Sequence, residues 1–251
     1  YETQGVYDSV NNKIYIKWND NSAVYVKVGT PNGSTISWGA NQTATTAKYG
    51  NQFDDSGITY DPVADRVIVF YQNTSNEPTF LAGIVTGTTV GFGTPVSLTG
   101  VNFQEARGWG FAYDTEHNVT HFSFEDSNDG NASIIPLSVS GTTVTLGTRF
   151  RVNTSHQVSG ANVAYSSSLN KVIVSAFSTG SNAYFYLLDF DGTTYTVDST
   201  ATATASGSSN NDMAYDDSSK VIVMRGSASN NINIVCAQIS GGSITVGNVL
   251  T

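Results

Sequence analysis

Cysteine and proline are nearly missing from this chain of 251 residues, which carries one of the first and five of the second. A single Cys236 excludes an internal disulfide and, without companions, a structural zinc site; its neighbours Ile234, Val235 and Ile239 predict a buried free thiol. Basic residues are scarce too: 11 Lys and Arg stand against 20 Asp and Glu, a formal charge of −9, and they are scattered. Binding a phosphate backbone needs a basic stripe, so no nucleic acid partner is expected. No apolar stretch approaches the roughly 18 residues that read as a spanning helix, so no membrane partner is expected either. A starting Met and a charged-then-apolar leader are both missing, which predicts a removed leader or a piece of a longer protein.

What the chain does have is glycine and aromatic residues, 24 Gly, 12 Phe, 13 Tyr and three Trp, dispersed between short apolar runs. That much apolar area excludes a solvated, disordered chain, and the dispersal suits many short strands joined by tight turns. The order within it is a repeat. An aromatic-acidic pair recurs at Tyr7-Asp8, Tyr60-Asp61, Tyr113-Asp114, Tyr165-Ser166 and Tyr215-Asp216, spaced 53, 53, 52 and 50 residues apart. A period of this size marks a repeat architecture.

Each unit reads as four strands. The pair ends a short first strand, and a polar turn such as Ser9-Val10-Asn11-Asn12 or Thr115-Glu116-His117-Asn118 follows, where Asp and Asn bond their own backbone and tolerate left-handed angles. The second strand (13–18, 66–71, 119–124, 171–176, 220–225) is apolar at successive positions in several copies, which predicts cover on both faces. A third strand leads to Gly33-Ser34-Thr35, Gly87-Thr88-Thr89, Gly141-Thr142-Thr143, Gly192-Thr193-Thr194 and Gly242-Ser243, tight turns re-entering a strand at once. A large apolar residue follows at Trp38, Phe92, Leu146, Val197 and Val246, and Gly39, Gly93, Gly147 and Gly247 close the strand in four copies.

Five such units predict an all-β, five-bladed β-propeller, four antiparallel strands per blade and one repeat per blade. It is a single domain over 1–251, with blades at about 1–48, 49–100, 101–151, 152–201 and 202–251. Two β-sandwiches are the rival, and they leave the recurring glycine-threonine turn unexplained. Each unit supplies its own four strands, so closure is expected to rest on side chains of blades one and five, with both chain ends on one face.

The phrases Tyr60-Asp61-Pro62-Val63-Ala64-Asp65-Arg66-Val67-Ile68-Val69-Phe70-Tyr71 and Gly83-Ile84-Val85-Thr86-Gly87-Thr88-Thr89-Val90-Gly91-Phe92-Gly93-Thr94-Pro95-Val96 resemble the repeats of about fifty residues in virion appendage proteins of bacteriophages. Blade four departs from the pattern at Ser166 and Asp198. The resemblance implies a propeller on a tail fibre or spike at the virion surface, an extracellular setting with attachment to cells as its role. It implies no catalytic set and no cofactor.

Function is sought where the copies differ, in the loops between blades and between second and third strands, which share a face. They hold Glu2, Asp20, Asp54, Asp55, Glu105, Arg107, Trp109, Asp126, His156 and Asp212, a polar and acidic set. Trp109, flanked by glycines near Arg107, is the candidate sugar platform, with Glu105, Asp20, Asp54, Asp126, His156 and Asp212 as hydrogen-bonding candidates. The alternative for Trp109 is packing beneath its own loop, and Trp18 and Trp38 fall at core positions. Glu2, Asp55, Glu105 and Asp212 raise a glycoside hydrolase as a second reading, which needs two carboxyls about 5 to 9.5 Å apart. Their unequal offsets from the repeat disfavour it, and the recurring Asp8, Asp61, Asp114 and Asp216 read as turn caps. The oxygen-rich stretch Glu125 to Asn131 lacks the closing Glu of a calcium loop and reads as a solvated hairpin tip. His117, His121 and His156 lie in unlike positions, so no metal is expected. A non-enzymatic module that binds cell-surface glycan, with flanking domains or other virion proteins as partners, is therefore expected; a plain spacer is the third alternative.

Overall fold

A computed structural model describes residues 3–20, 22–48, 56–103, 108–178, 182–205, 209–228 and 231–250, with backbone alone at 209–211, 226–228 and 231. Among these residues the elements are all strands, 23 of them, in five antiparallel sheets, one per sequence repeat. Blade one comprises Thr3–Asp8, Lys13–Asn19, Val24–Asn32 and Thr35–Trp38; blade two, Ser56–Asp61, Arg66–Gln72, Pro78–Thr86 and Thr89–Phe92. Blade three comprises Trp109–Asp114, Val119–Asp126, Asn131–Ser140 and Thr143–Leu146; blade four, Val158–Ser166, Lys171–Ser178, Asn182–Phe190 and Tyr195–Thr204; blade five, Ser209–Asp216, Val221–Ala228, Asn231–Ser240 and Ser243–Leu250.

The first turn of each blade is held by its acid. Asp8 Oδ1 accepts from the amides of Val10 and Asn11, both at 2.9 Å, and Asn12 then takes a left-handed φ of 51°. Asp61 accepts from Val63 and Ala64, Asp114 from Glu116 and His117, and Asp216 from Ser218. Blade four has Ser166 there. Asp217, from blade five, reaches across and accepts from Ser166 Oγ (2.6 Å), Ser167 Oγ (2.8 Å), Ser168 Oγ (2.7 Å) and the Ser168 amide (3.1 Å).

Gly39, Gly93 and Gly147 stand, as expected, just past fourth strands that end at Trp38, Phe92 and Leu146, but the blade goes on beyond them. Their amides donate to Val28, Ala82 and Pro136 carbonyls, and the chain returns at Gln42–Thr45, Val96–Ser97 and Phe150–Arg151 to pair again with the third strand. Asp198 replaces the glycine in blade four, and the strand runs on to Thr204 across a bulge opposite Leu187 and Leu188. Gly247 is likewise carried through a bulge. Trp38 is no core residue: it lies opposite Gly29, where an added Cβ would come within 2.7 Å of its ring, and is 39% exposed. A ring laid over a bare glycine covers backbone that has no side chain of its own.

Two compact units can be distinguished, residues 1–105 with 138–146, and 106–137 with 147–251. In the first, Tyr15, Val24, Val26 and Val28 of blade one pack on Ile58, Tyr60, Val67 and Val69 of blade two. Buried Lys17 donates to the Ser56 carbonyl at 2.6 Å, Asn11 bonds Asp65, and Arg66 Nε bonds the Gly141 carbonyl at 2.7 Å. In the second, one cluster joins Ile134 and Val152 to Val163, Val174 and Leu188, and another joins Ile173, Phe185 and Leu187 to Ile222, Met224 and Val235. The second strands of blades two, three and four are covered on both faces. In blade one burial alternates, because within its unit that sheet packs by one face only. The same one-sidedness leaves Cys236 free and half-buried, on the face opposite Val235 and Ala237, rather than in the core.

Candidate functional site

In both units the hairpin between second and third strands meets the loop leaving the blade. Phe103 N donates to Asn76 O at 2.8 Å, and Val158 N donates to Gly130 O at 2.8 Å. The 125–131 hairpin is therefore no solvated tip. Glu125 and Asp126 are buried, Gln157 packs over Gly130, and the Gly160 amide reaches Glu125 Oε2 at 3.2 Å. Asp126 accepts from the Asn128 amide and binds Arg149, while Arg151 Nε lies 2.6 Å from Asp129 Oδ2.

On this lip His156 stacks against Tyr184, ring centroids 3.7 Å apart and planes at 16°. Its Nε2 meets the Tyr186 hydroxyl at 2.9 Å and its Nδ1 meets Ser155 Oγ at 3.1 Å. Burial holds the imidazole below its ordinary pKa, so at neutral pH it is uncharged, accepting at one nitrogen and donating at the other. Asn153 fixes the loop by giving Nδ2 to the His156 carbonyl (2.6 Å) and taking the Ala132 amide (2.9 Å).

Tyr184 and Tyr186 share one face of the third strand of blade four because side chains alternate along a strand. Asn182, Tyr184 and Tyr186 stand opposite Thr204, Thr202 and Thr200 on the outer strand, whose threonines are exposed. Asn182 Nδ2 donates to the Tyr184 hydroxyl at 3.3 Å. Tyr186 is buried and Tyr184 half-buried, so the lip presents one partly covered aromatic ring beside exposed threonine hydroxyls and the Asn182 amide, offering apolar contact and hydrogen bonds of both senses.

Of the residues singled out from sequence, His156 and Asp126 come to this lip. Trp109 opens the first strand of blade three, half-buried, edge-on to Phe111 at 5.7 Å and tilted against Phe122 at 6.4 Å. Asp20 caps its own turn, accepting from the amides of Ser22 and Ala23; those bonds, with the Ser22 hydroxyl foremost, keep its carboxyl below the usual range. Asp212 is exposed and accepts from the adjacent Met213 amide. Glu2, Asp54, Asp55, Glu105 and Arg107 lie outside the described residues. Sequence reasoning missed Tyr184, Tyr186 and Arg149. It also missed the meeting of His117 and His121 on Asp114, although the seventh residue after the turn acid runs Tyr15, Ile68, His121, Ile173, Val223 and so marks blade three as different.

The sequence matches no family model, and no curated protein matches it. Solved structures do share the fold. A protein from Lactobacillus plantarum superposes with a TM-score of 0.66 at 12% identity, over 97% of this chain and 69% of that one. The fungal lectin of Aleuria aurantia, described as a six-bladed β-propeller with a fucose recognition mode, gives 0.55 at 13%, over 99% and 78%. The NanB sialidase from Streptococcus pneumoniae gives 0.52 at 9%, over 70% of this chain and 27% of the sialidase. The chain is a β-propeller, with one blade per sequence repeat and five blades among the described residues.

Proposed function

We propose that this protein is a non-enzymatic carbohydrate-recognition module, displayed on a phage virion or another extracellular appendage beside flanking domains or other virion proteins. It reads cell-surface glycan at the lip between blades three and four. The observation that carries this is the His156–Tyr184 stack, an aromatic platform held by Asn153 and bordered by exposed threonines on the outer strand of blade four. Propellers named for fucose recognition and for sialidase activity share the fold, which supports sugar as the ligand class and leaves the sugar itself to experiment. Weak single-site binding suits a module that acts in many copies on one particle, because tethering raises the effective concentration of every later contact.

A glycan array followed by titration of the best ligand tests the reading. His156→Ala should weaken binding about tenfold, the worth of one aromatic stacking contact, and Tyr184→Ala by at least as much. Trp109→Ala should leave affinity unchanged. An array without hits, reducing ends accumulating with time, or full affinity in His156→Ala would each overturn it.

A further inference from the structure

A second polar group lies toward the other end of the strands at the junction of blades three and four, and glycan recognition has no use for it. His121, wholly enclosed on the second strand of blade three, bridges to blade four. Its Nδ1 lies 2.7 Å from the hydroxyl of Tyr195, a buried residue that opens the outer strand of blade four, and its Nε2 lies 3.3 Å from Asp114 Oδ2. Phe190 meets the ring edge-on at 5.0 Å and Tyr165 stands at 6.4 Å. The titratable groups facing His121 are thus Asp114, His117, Tyr165 and Tyr195. His117 reaches the same carboxylate through Nδ1 at 2.8 Å.

These contacts dictate one tautomer. Asp114 also accepts from the amides of Glu116 and His117, so it acts as an ionised acceptor, and His121 must give it the Nε2 proton. Nδ1 is then bare and accepts the Tyr195 O–H. A proton arriving at Nδ1 turns that acceptor into a donor, the Tyr195 O–H hydrogen must turn aside inside a buried site so that its oxygen accepts instead, and a positive charge sits between two sheets. Blade one shows the same frame without a titrating ring: Tyr15 gives its hydroxyl to Asp8 Oδ2 at 2.6 Å.

We propose that Asp114, His121 and Tyr195 form an acid-sensitive latch between blades three and four, closed while His121 is neutral and loosened when it takes up a proton. Burial moves His121 below its ordinary 6.5, with Asp114 pulling the other way less strongly. The unfolded chain therefore binds this proton first as pH falls, and the stability held above 6.5 is lost below it. The latch goes beyond sugar binding and does not depend on it.

Urea unfolding of the full chain at pH 7.5, 6.5 and 5.5 tests it, for wild type, His121→Gln and His117→Gln, together with histidine ring resonances of the folded wild type. The folded-to-unfolded ratio of wild type should fall about tenfold more between pH 7.5 and 5.5 than that of His121→Gln, and His117→Gln should keep the wild-type dependence. Amide exchange corrected for pH should quicken in strands 158–166 and 182–190 of wild type alone. An equal pH dependence in His121→Gln, or a folded-state His121 resonance titrating near 6.5, overturns the latch. If His121→Gln does not fold, the resonance decides.

Discussion

Gly93→Ala should destabilise the protein by about 3 kcal/mol, the upper range for forcing atoms into a filled interior, and Gly39→Ala nearly as much. A Cβ on Gly93 would lie 2.2 Å from the Thr142 carbonyl oxygen, and one on Gly39 would lie 2.5 Å from that of Thr88. In both cases the outer turn of the next blade rests on the bare backbone of the previous one. Backbone meets backbone there, so no flexible side chain can swing aside. Gly87→Ala is the control. Its φ is +63° with no atom within 4 Å of the new methyl, so only the left-handed conformation resists, at about 1–2 kcal/mol. Urea midpoints followed by circular dichroism compare the three, and a loss at Gly93 no larger than that at Gly87 would show that the blades part easily there.

Asp114→Ala should cost about 3 kcal/mol or more, whereas Asp61→Ala, at the same place in blade two, should cost about 1 kcal/mol. Among the described residues Asp61 caps two amides and holds no other side chain. Asp114 caps two amides and also holds His117 and buried His121, so its removal strands a polar ring in the interior. Burial alone would raise the Asp114 carboxyl, but the bonds from His121 and His117 outweigh it and hold it well below the usual range. A carboxyl lowered in the folded state stabilises it above the unfolded value and loses that contribution as pH falls through about 4 and below. The gap between the two variants should therefore narrow in acid. A gap of the same size at pH 3 and pH 7 would mean that Asp114 acts as a cap alone.

Much of the scaffold is legible in one sequence because each repeat states its own local chemistry. Asp8 and its counterparts announce a capped turn, and Gly87 and Gly141 announce the tight reversal, since the instructions and the structure they produce lie within a few residues. Contacts beyond the local turn are less legible. Gly93 reads as a strand ender, which it is, but nothing near it announces the Thr142 carbonyl that rests against it. Trp38 reads as core until it is found lying over Gly29. The 125–131 hairpin reads as solvated because the loop that covers it begins some twenty residues later. For the site, His156 is visible as a loop residue that differs among copies, but Tyr184 is hidden among strand aromatics until its ring is seen under the imidazole. Trp109 attracts attention by its glycine neighbours, but Gly110 serves close packing instead, since a Cβ there would stand 2.9 Å from the Val163 amide nitrogen, and Gly108 takes a left-handed φ of 88°.

Asp217 carries a lesson for anyone rebuilding this fold from an averaged repeat. Burial pushes its carboxyl upward, but the hydroxyls of Ser166, Ser168 and Ser167 together outweigh it and hold it well below the usual range. Blade five thus furnishes the anion that blade four gave up. Writing the consensus aspartate back at position 166 would set two like charges against each other across a gap now bridged at 2.6 Å. Blades four and five behave as a matched pair, and neither can be exchanged, duplicated or idealised without its neighbour.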